Sequence, residues 1–190
     1  MLPCPAEIET GSVLGNWLLP IQDEGRLVLD LGELRWVSPV LMTGVMAYLY
    51  RATLSGQTCA IRRPSDTGVA NYLSRMQLDR VAGELGVESD LPPVRANRDL
   101  DGESLVPLTA FHEKSEVEEM VHIVHARVGE EGLQRSLCKI LAEAGNNVKD
   151  HAQAGKGYVA AQVHRKSSRL LLAVADGGVG ILETLRKRGA

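Results

Sequence analysis

An apolar run near the carboxyl end of the chain, residues 170–175, passes directly into an acidic, glycine-rich turn at residues 176–181. The six apolar residues predict a buried strand. The turn reads Asp-Gly-Gly-Val-Gly-Ile, and its glycines allow a sharp bend and the close approach of a flat ligand to bare backbone. The carboxylate of Asp176 can accept a hydrogen bond from an exocyclic amine such as that of adenine. Because a lone Asp-x-Gly-x-Gly motif is most often a plain turn, a binding site here needs support from elsewhere in the chain.

A helix predicted upstream of this turn supplies that support. Apolar residues at helical spacing predict the helix over residues 133–152. Glu143, Asn147 and Asp150 fall on one stripe beside its apolar face. An asparagine carbonyl suits a Mg²⁺ ion that already holds phosphate oxygens, and a nearby glutamate can orient and deprotonate an attacking water or hydroxyl. The alternative is that this stripe is a solvated flank near the end of the helix.

The whole chain predicts an α/β fold in two modules joined by a polar connection. Residues 86–107 are rich in aspartate, proline and glycine, which predicts a linker between one domain at residues 1–85 and another at residues 108–190. In the first module the residue patterns predict strands and helices in alternation, which is typical of α/β folds. They are a strand at residues 26–31, a helix at 39–55, a strand at 58–61 and a helix from Asp66 onward.

Two details of the modules can be predicted from their turns and caps. Ser38 followed by Pro39 is typical of a helix start, with serine as N-cap and proline in the first turn. In the second module, Ser115 with Glu118 predicts a capping box ahead of a first helix. The helix at 133–152 follows, and residues 158–163 and 170–175 then predict an antiparallel hairpin.

Composition and charge exclude several classes of protein. The net charge of −3 and the scattered lysines and arginines give no reason to expect nucleic acid as a partner. The longest weakly polar run, residues 37–50, is too short to span a membrane and predicts a buried helix. Three distant cysteines without a Cys-x-x-Cys pair argue against a disulfide framework and indicate a reducing cytoplasm. The first residues carry no signal-peptide pattern.

Glu-x-x-x-Asn on a helix, followed by a strand pair that ends in Asp-x-Gly-x-Gly-Ile, resembles the N box and first glycine box of the gyrase, heat-shock chaperone, histidine-kinase and mismatch-repair ATPase (GHKL or Bergerat) superfamily. The resemblance implies the first half of that superfamily's α/β sandwich, with ATP and Mg²⁺ as cofactors. It implies that Asn147 coordinates Mg²⁺, that Glu143 is the catalytic base and that Asp176 contacts adenine. Gly178 and Gly180 would make room for the nucleotide.

The first module resembles the start of a STAS domain, the fold of anti-sigma-factor antagonists. The resemblance lies in the apolar residues 27–31, in residues 34–39 and in the long apolar helix that follows. Such modules usually present an Asp-Ser pair at the helix start, where the serine is phosphorylated. In this chain Ser38-Pro39 stands there, and proline cannot accept phosphate. The resemblance therefore implies an interaction module without the usual switch.

Together the resemblances imply an ATP-binding regulatory protein of partner-switching type, in which a kinase of this superfamily acts on a STAS-fold antagonist and so controls a sigma-factor regulator. Enzyme activity stays open; an active form would be a protein serine/threonine kinase or an ATPase. The alternative is a non-catalytic interaction or scaffold protein that uses both modules to dimerise or to bind a partner. By resemblance, Asp150 also lies in the nucleotide site, and an aspartate there is typical of gyrase and the chaperone. A third alternative is therefore an ATP-driven conformational machine like those two proteins, and Asp150 is the only residue that favours it.

No lid and no second glycine-rich box follow Ile181 within the 190 residues. We therefore expect this chain alone to bind nucleotide weakly or not at all and to be inactive, because the half of the site that holds phosphate is not among these residues. The predicted hairpin would then leave one strand edge unpaired, and its strand centres carry no charge that would block pairing with another chain. We expect a homo-oligomer for this reason.

Overall fold

A computed structural model describes residues 21–23, 25–93, 105–112, 116, 122, 138–143, 145, 155–164 and 169–178. The described residues form a mixed α/β structure with two small sheets and a few helices. The strands of the first sheet are β1 (Ile21–Asp23), β2 (Arg26–Asp30), β3 (Cys59–Arg62) and β4 (Glu88–Ser89). They lie in the order β1-β2-β3-β4, in which β1 is antiparallel to β2 and the other pairs are parallel.

Helix α1 (Pro39–Leu54) connects β2 to β3 and begins as the sequence predicts. The Ser38 hydroxyl accepts a hydrogen bond from the Leu41 backbone N–H at 3.3 Å, and Pro39 occupies the first turn, where a missing N–H costs nothing. Ser38 is buried in this cap. Gly56 follows the helix with a φ of 79°, a left-handed conformation that glycine adopts without strain. The predicted cap and helix are confirmed.

Two short helices follow β3. Helix α2 (Thr67–Arg75) is capped by Asp66, whose carboxylate accepts from the Val69 backbone N–H at 2.9 Å, as predicted. Helix α3 (Leu78–Gly83) follows at once after a left-handed Gln77 and was not predicted. No helix in the described ranges is both long enough and apolar enough to cross a membrane.

The second sheet consists of β5 (Leu105–Phe111), β6 (Gly157–His164) and β7 (Arg169–Asp176), in that order and with both pairs antiparallel. The predicted hairpin is confirmed as β6 (Gly157–His164) and β7 (Arg169–Asp176). Strand β5 (Leu105–Phe111) was not predicted; it covers the edge of β6 that faces away from β7. Its register with β6 shifts between Val106 and Thr109, around a proline that has no N–H for a ladder.

The ends of the predicted linker at residues 86–107 carry regular structure. Residues 88 and 89 pair with β3 as strand β4, and Val87 and Leu91 on either side are buried. Residues 105–107 belong to β5. Residues 94–104 lie outside the described part of the chain, and the division into two domains stays a prediction.

The three helices lie between the two sheets, so that both sheets share one apolar core. Leu29 and Ile61 of the first sheet, Met46 of α1 and Tyr158 of β6 all belong to this core. The rings of Tyr50 in α1 and Tyr158 meet edge to face, with centroids 6.3 Å apart. The Leu108 N–H at the irregularity of β5 donates to the Met76 carbonyl after α2 at 3.0 Å. The sheets are therefore joined by packing and by a backbone hydrogen bond.

The opposite face of the second sheet packs against a helical segment at residues 138–143 and 145. Leu141 from this segment lies in a second apolar cluster with four buried residues of the sheet: Val106, Phe111, Val159 and Ala161. Successive residues of β6 thus alternate between the two cores, with Tyr158 and Ala160 on one face and Val159 and Ala161 on the other. Both faces of this strand are buried from Gly157 to Ala161.

Two tyrosines in the shared core test this packing as a matched pair. Tyr158 is completely buried, and its hydroxyl has no hydrogen-bond partner among the described residues. The Tyr72 hydroxyl donates to Gln162 at 3.1 Å, and burial raises the pKa of Tyr72 to about 12, although Arg75 lowers it, so the hydroxyl keeps its proton at neutral pH. We expect Tyr158→Phe to raise the free energy of unfolding by about 1 kcal/mol, because it removes an unsatisfied buried hydroxyl. Tyr72→Phe should lower it by about 1 kcal/mol.

Urea unfolding of the full chain measures both values. A Tyr158→Phe variant that is less stable than the parent by more than about 1 kcal/mol would show that this hydroxyl has a partner, contrary to the structure.

Candidate functional site

Asp176 ends β7 with its side chain exposed. One carboxylate oxygen, Oδ1, accepts a hydrogen bond from the Gly178 backbone N–H at 2.9 Å and closes a tight turn. The other oxygen, Oδ2, has no hydrogen bond to any described residue, so it remains available as an acceptor. Side chains alternate along a strand, which places Asp176 on the face of Leu172 and Val174, the face that packs against Leu141. The predicted adenine contact therefore lies at an accessible strand end.

The glycine turn after Asp176 is packed against α1. A Cβ added at Gly177 would lie 2.4 Å from Cδ1 of Tyr50 and 3.3 Å from the Ala47 carbonyl oxygen. The Gly177 N–H donates to the Lys156 carbonyl at 3.3 Å and so continues the pairing of β6 with β7. Position 177 therefore requires glycine because a helix of the first half of the chain approaches its Cα, and not because of an unusual φ angle.

A charged side chain of α1 also holds this turn. Nη1 of Arg51 donates to the Gly178 carbonyl at 2.5 Å, and Gly178 is buried. A guanidinium that binds a backbone carbonyl makes a charge-assisted hydrogen bond, which is stronger than a neutral one. Lys156 places its ammonium 5.9 Å from the centroid of the Tyr50 ring. The turn thus has two sides: α1 covers one, and the Asp176 carboxylate is exposed on the other.

The predicted catalytic Glu143 lies in the helical segment that packs on the Asp176 face of the sheet, and its side chain is exposed. Leu141, two residues earlier, is buried against the sheet. Two residues turn a helix by about 200°, so Glu143 points away from the sheet. The structure thus brings the helix of Glu143 and the strand end of Asp176 to one face of the sheet. The predicted residues Asn147, Asp150 and Gly180 lie outside the described part of the chain.

Among the described residues, no group of three histidine, cysteine or acidic side chains could hold a metal ion. Cys59 is buried, and burial raises the pKa of its thiol although Arg26 lowers it, which disfavours a reactive thiolate. Cys138 is a half-buried free thiol. Neither a metal cluster nor the buried thiol of Cys59 therefore competes with the Asp176 turn as the candidate site among the described residues.

Comparisons with models of protein families, with curated proteins and with solved structures found no match to this chain. The similarity to the ATPase superfamily and to the STAS domain therefore remains a resemblance carried by the motifs themselves.

Two features of the site region were missed by the sequence interpretation. One is the contact between α1 and the glycine turn, which joins residues more than 120 positions apart; the extra glycine at position 177, beside the two glycines of the motif, is its only local signal. The other is a cleft of about 770 Å³ at the carboxyl ends of β3 and β4, lined in part by Arg62 and Arg63. An arginine pair directly after a buried strand is the signal that could have indicated it.

A glycine-to-alanine pair tests the packing of the turn. Gly177→Ala places a methyl group against Tyr50 and the Ala47 carbonyl, so it should lower the free energy of unfolding by about 1–3 kcal/mol. Gly83, at the end of α3, is exposed and has no atom within 4 Å of an added Cβ. Gly83→Ala should therefore leave stability unchanged or raise it by up to about 1 kcal/mol. Chemical denaturation compares the two. Equal stability of the Gly177→Ala variant and the parent would mean that α1 does not lie against this turn.

Proposed function

We propose that this chain is an ATP-binding regulatory protein of partner-switching type, with a nucleotide site of the GHKL ATPase kind and a STAS-like module. The observation that carries the proposal is the position of Asp176: an exposed carboxylate at the end of a largely buried sheet, followed by a tight glycine turn. The helix that bears Glu143 lies on the same face of the sheet. The order of the two motifs along the sequence, with a helical segment first and a strand end second, supports the proposal.

The available acceptor on Asp176 fits an adenine amine. Its Oδ1 is engaged by Gly178, which fixes the orientation of the carboxylate, while Oδ2 can accept from a ligand donor. Asn147 would hold Mg²⁺ through its carbonyl oxygen, and Gly180 would admit the nucleotide, both as implied by the resemblance. When bound, Mg²⁺ neutralises phosphate charge and orients the terminal phosphoryl group.

The exposure of Glu143 supports a protein as the acceptor substrate. A base that activates a serine or threonine hydroxyl of another protein must be reached from solvent, and Glu143 is exposed on its helix. The partner would be a sigma-factor regulator or a STAS-fold antagonist, recognised through the first module. Because Glu143 points away from the sheet, the kinase step is a separate claim from nucleotide binding and has its own test.

A second candidate is a non-catalytic interaction protein, and one observation favours it. Tyr50 and Arg51 of α1 occupy one side of the glycine turn, so Gly177 and Gly178 already have a structural role as a joint between the two halves. In that case the motif is retained for packing, and the chain presents surfaces to partners or to a second copy of itself.

Titration with Mg-ATP, followed by amide NMR spectra of the full chain, separates the two candidates. We expect shifts at residues 138–145 and 176–178 with a weak, millimolar dissociation constant. Asp176→Ala and Asn147→Ala should each weaken binding tenfold or more, about 1.4 kcal/mol. Glu33→Ala, which removes an exposed carboxylate of the first module, is the control and should leave affinity unchanged.

Absence of shifts up to about 10 mM Mg-ATP, or equal affinity in all four proteins, would exclude the nucleotide site and leave the interaction candidate. Transfer of labelled phosphate from ATP to a STAS-fold partner, abolished by Glu143→Gln, would establish the kinase activity in addition.

A further inference from the structure

A second possible site lies on the first sheet, away from the glycine turn. Strands β3 and β4 run parallel, so their carboxyl ends meet at one edge of the sheet. A cleft of about 770 Å³ opens there, between the segments that follow these strands and one side of α2. Crevices outside the carboxyl ends of parallel strands are common ligand sites in α/β proteins, and this volume lies in the usual range for small-molecule pockets.

The cleft is positively charged although the chain is negative overall. Three arginines, Arg62, Arg63 and Arg75, line it against one carboxylate, Asp90, while the whole chain has a net charge of −3. Asp90 is held by the Arg63 backbone N–H, which donates to its Oδ1 at 2.5 Å. A cluster of one sign in a concave site raises the local concentration of ligands of the opposite sign.

Two of these arginines have no charged partner among the residues that the structure describes. Arg62 is paired with Asp30 outside the cleft, at 2.8 Å. Within the described ranges, no carboxylate lies at ion-pair distance from the guanidinium of Arg63 or Arg75. Arg75 is half-buried, and its Nε is fully buried without a hydrogen-bond partner among those residues. A partly desolvated and unpaired guanidinium is costly, and an anion bound beside it would offset that cost.

The neutral side chains of the cleft complement such an anion. Ser65 and Asn71 line it and carry a hydroxyl and an amide that can donate. The Ser65 backbone is fixed by its N–H, which donates to the Gly32 carbonyl at 3.1 Å. Guanidinium forks match the oxygens of phosphate in a bidentate manner, and neighbouring hydroxyl and amide groups complete its hydrogen bonds.

We propose that this arginine-lined cleft binds a phosphorylated small organic molecule, with its phosphate between Arg63 and Arg75. The volume argues for an organic phosphate, because a single inorganic phosphate would fill only a small part of about 770 Å³. The site is separate from the proposed ATP site at Asp176, and it does not depend on that proposal.

Isothermal titration calorimetry of the full chain at low salt tests this site with ribose 5-phosphate and with inorganic pyrophosphate. We expect both to bind, and the double variant Arg63→Gln, Arg75→Gln to weaken both at least tenfold. Arg80→Gln is the matched control, since Arg80 is exposed on α3 and paired with Glu84 and Gln77 away from the cleft. It should leave both affinities unchanged, as should Asp176→Ala.

The single variant Arg75→Lys tests the same site if the double variant fails to fold. Lysine keeps the charge but loses the fork, so the affinity for ribose 5-phosphate should fall by a smaller factor than in the double variant. Failure of both probes to bind, or equal binding by parent and variants, would overturn the site. Binding of pyrophosphate alone, or of citrate as tightly as ribose 5-phosphate, would overturn the assignment to an organic phosphate.

Discussion

Burial of helix α1 on two sides is the constraint on which the rest of the structure depends. A helix that covers one sheet buries a single stripe of its surface, but nine of the 16 residues of α1 are buried. One side packs on the first sheet, and another packs on β6 and β7 through Tyr50 and Ala47. Because each sheet is small, neither has much apolar area to bury without this helix, and the shared core supplies it.

The same helix determines what the glycine motif can do. Tyr50 and Arg51 reach the turn after β7 from the core side, so Gly177 and Gly178 face the helix, while the carboxylate of Asp176 faces solvent. A ligand can therefore approach the carboxylate from one side only. The contact between α1 and the glycine turn thus has two consequences. It packs the two halves of the chain together, and it determines the geometry of the proposed nucleotide site.

Features set by local sequence were predictable, and features set by tertiary contact were not. The Ser38-Pro39 start of α1, the Asp66 cap and the apolar runs of β2, β6 and β7 follow from side-chain chemistry within a few residues. Strand β4 has two residues and exists only because β3 pairs with it, so no local pattern predicts it. Strand β5 contains Pro107, and a proline argues against a strand when the sequence is considered alone. Arg62, Arg63 and Arg75 look scattered along the chain, and only the fold gathers them around one cleft. For the proposed nucleotide site, sequence motifs predicted Asp176 and its turn, but not the helix against its other side.

Native-state hydrogen exchange of a Tyr50→Ala variant tests the shared core most directly. Tyr50 is buried against the second sheet, and its truncation should cost about 3 kcal/mol or more of unfolding free energy. If α1 makes the two sheets one cooperative unit, the free energy of exchange should fall by the same amount for the amides of β3 and of β6. A loss of protection confined to β6, with β3 unchanged from the parent, would contradict the account and show that the two sheets fold independently.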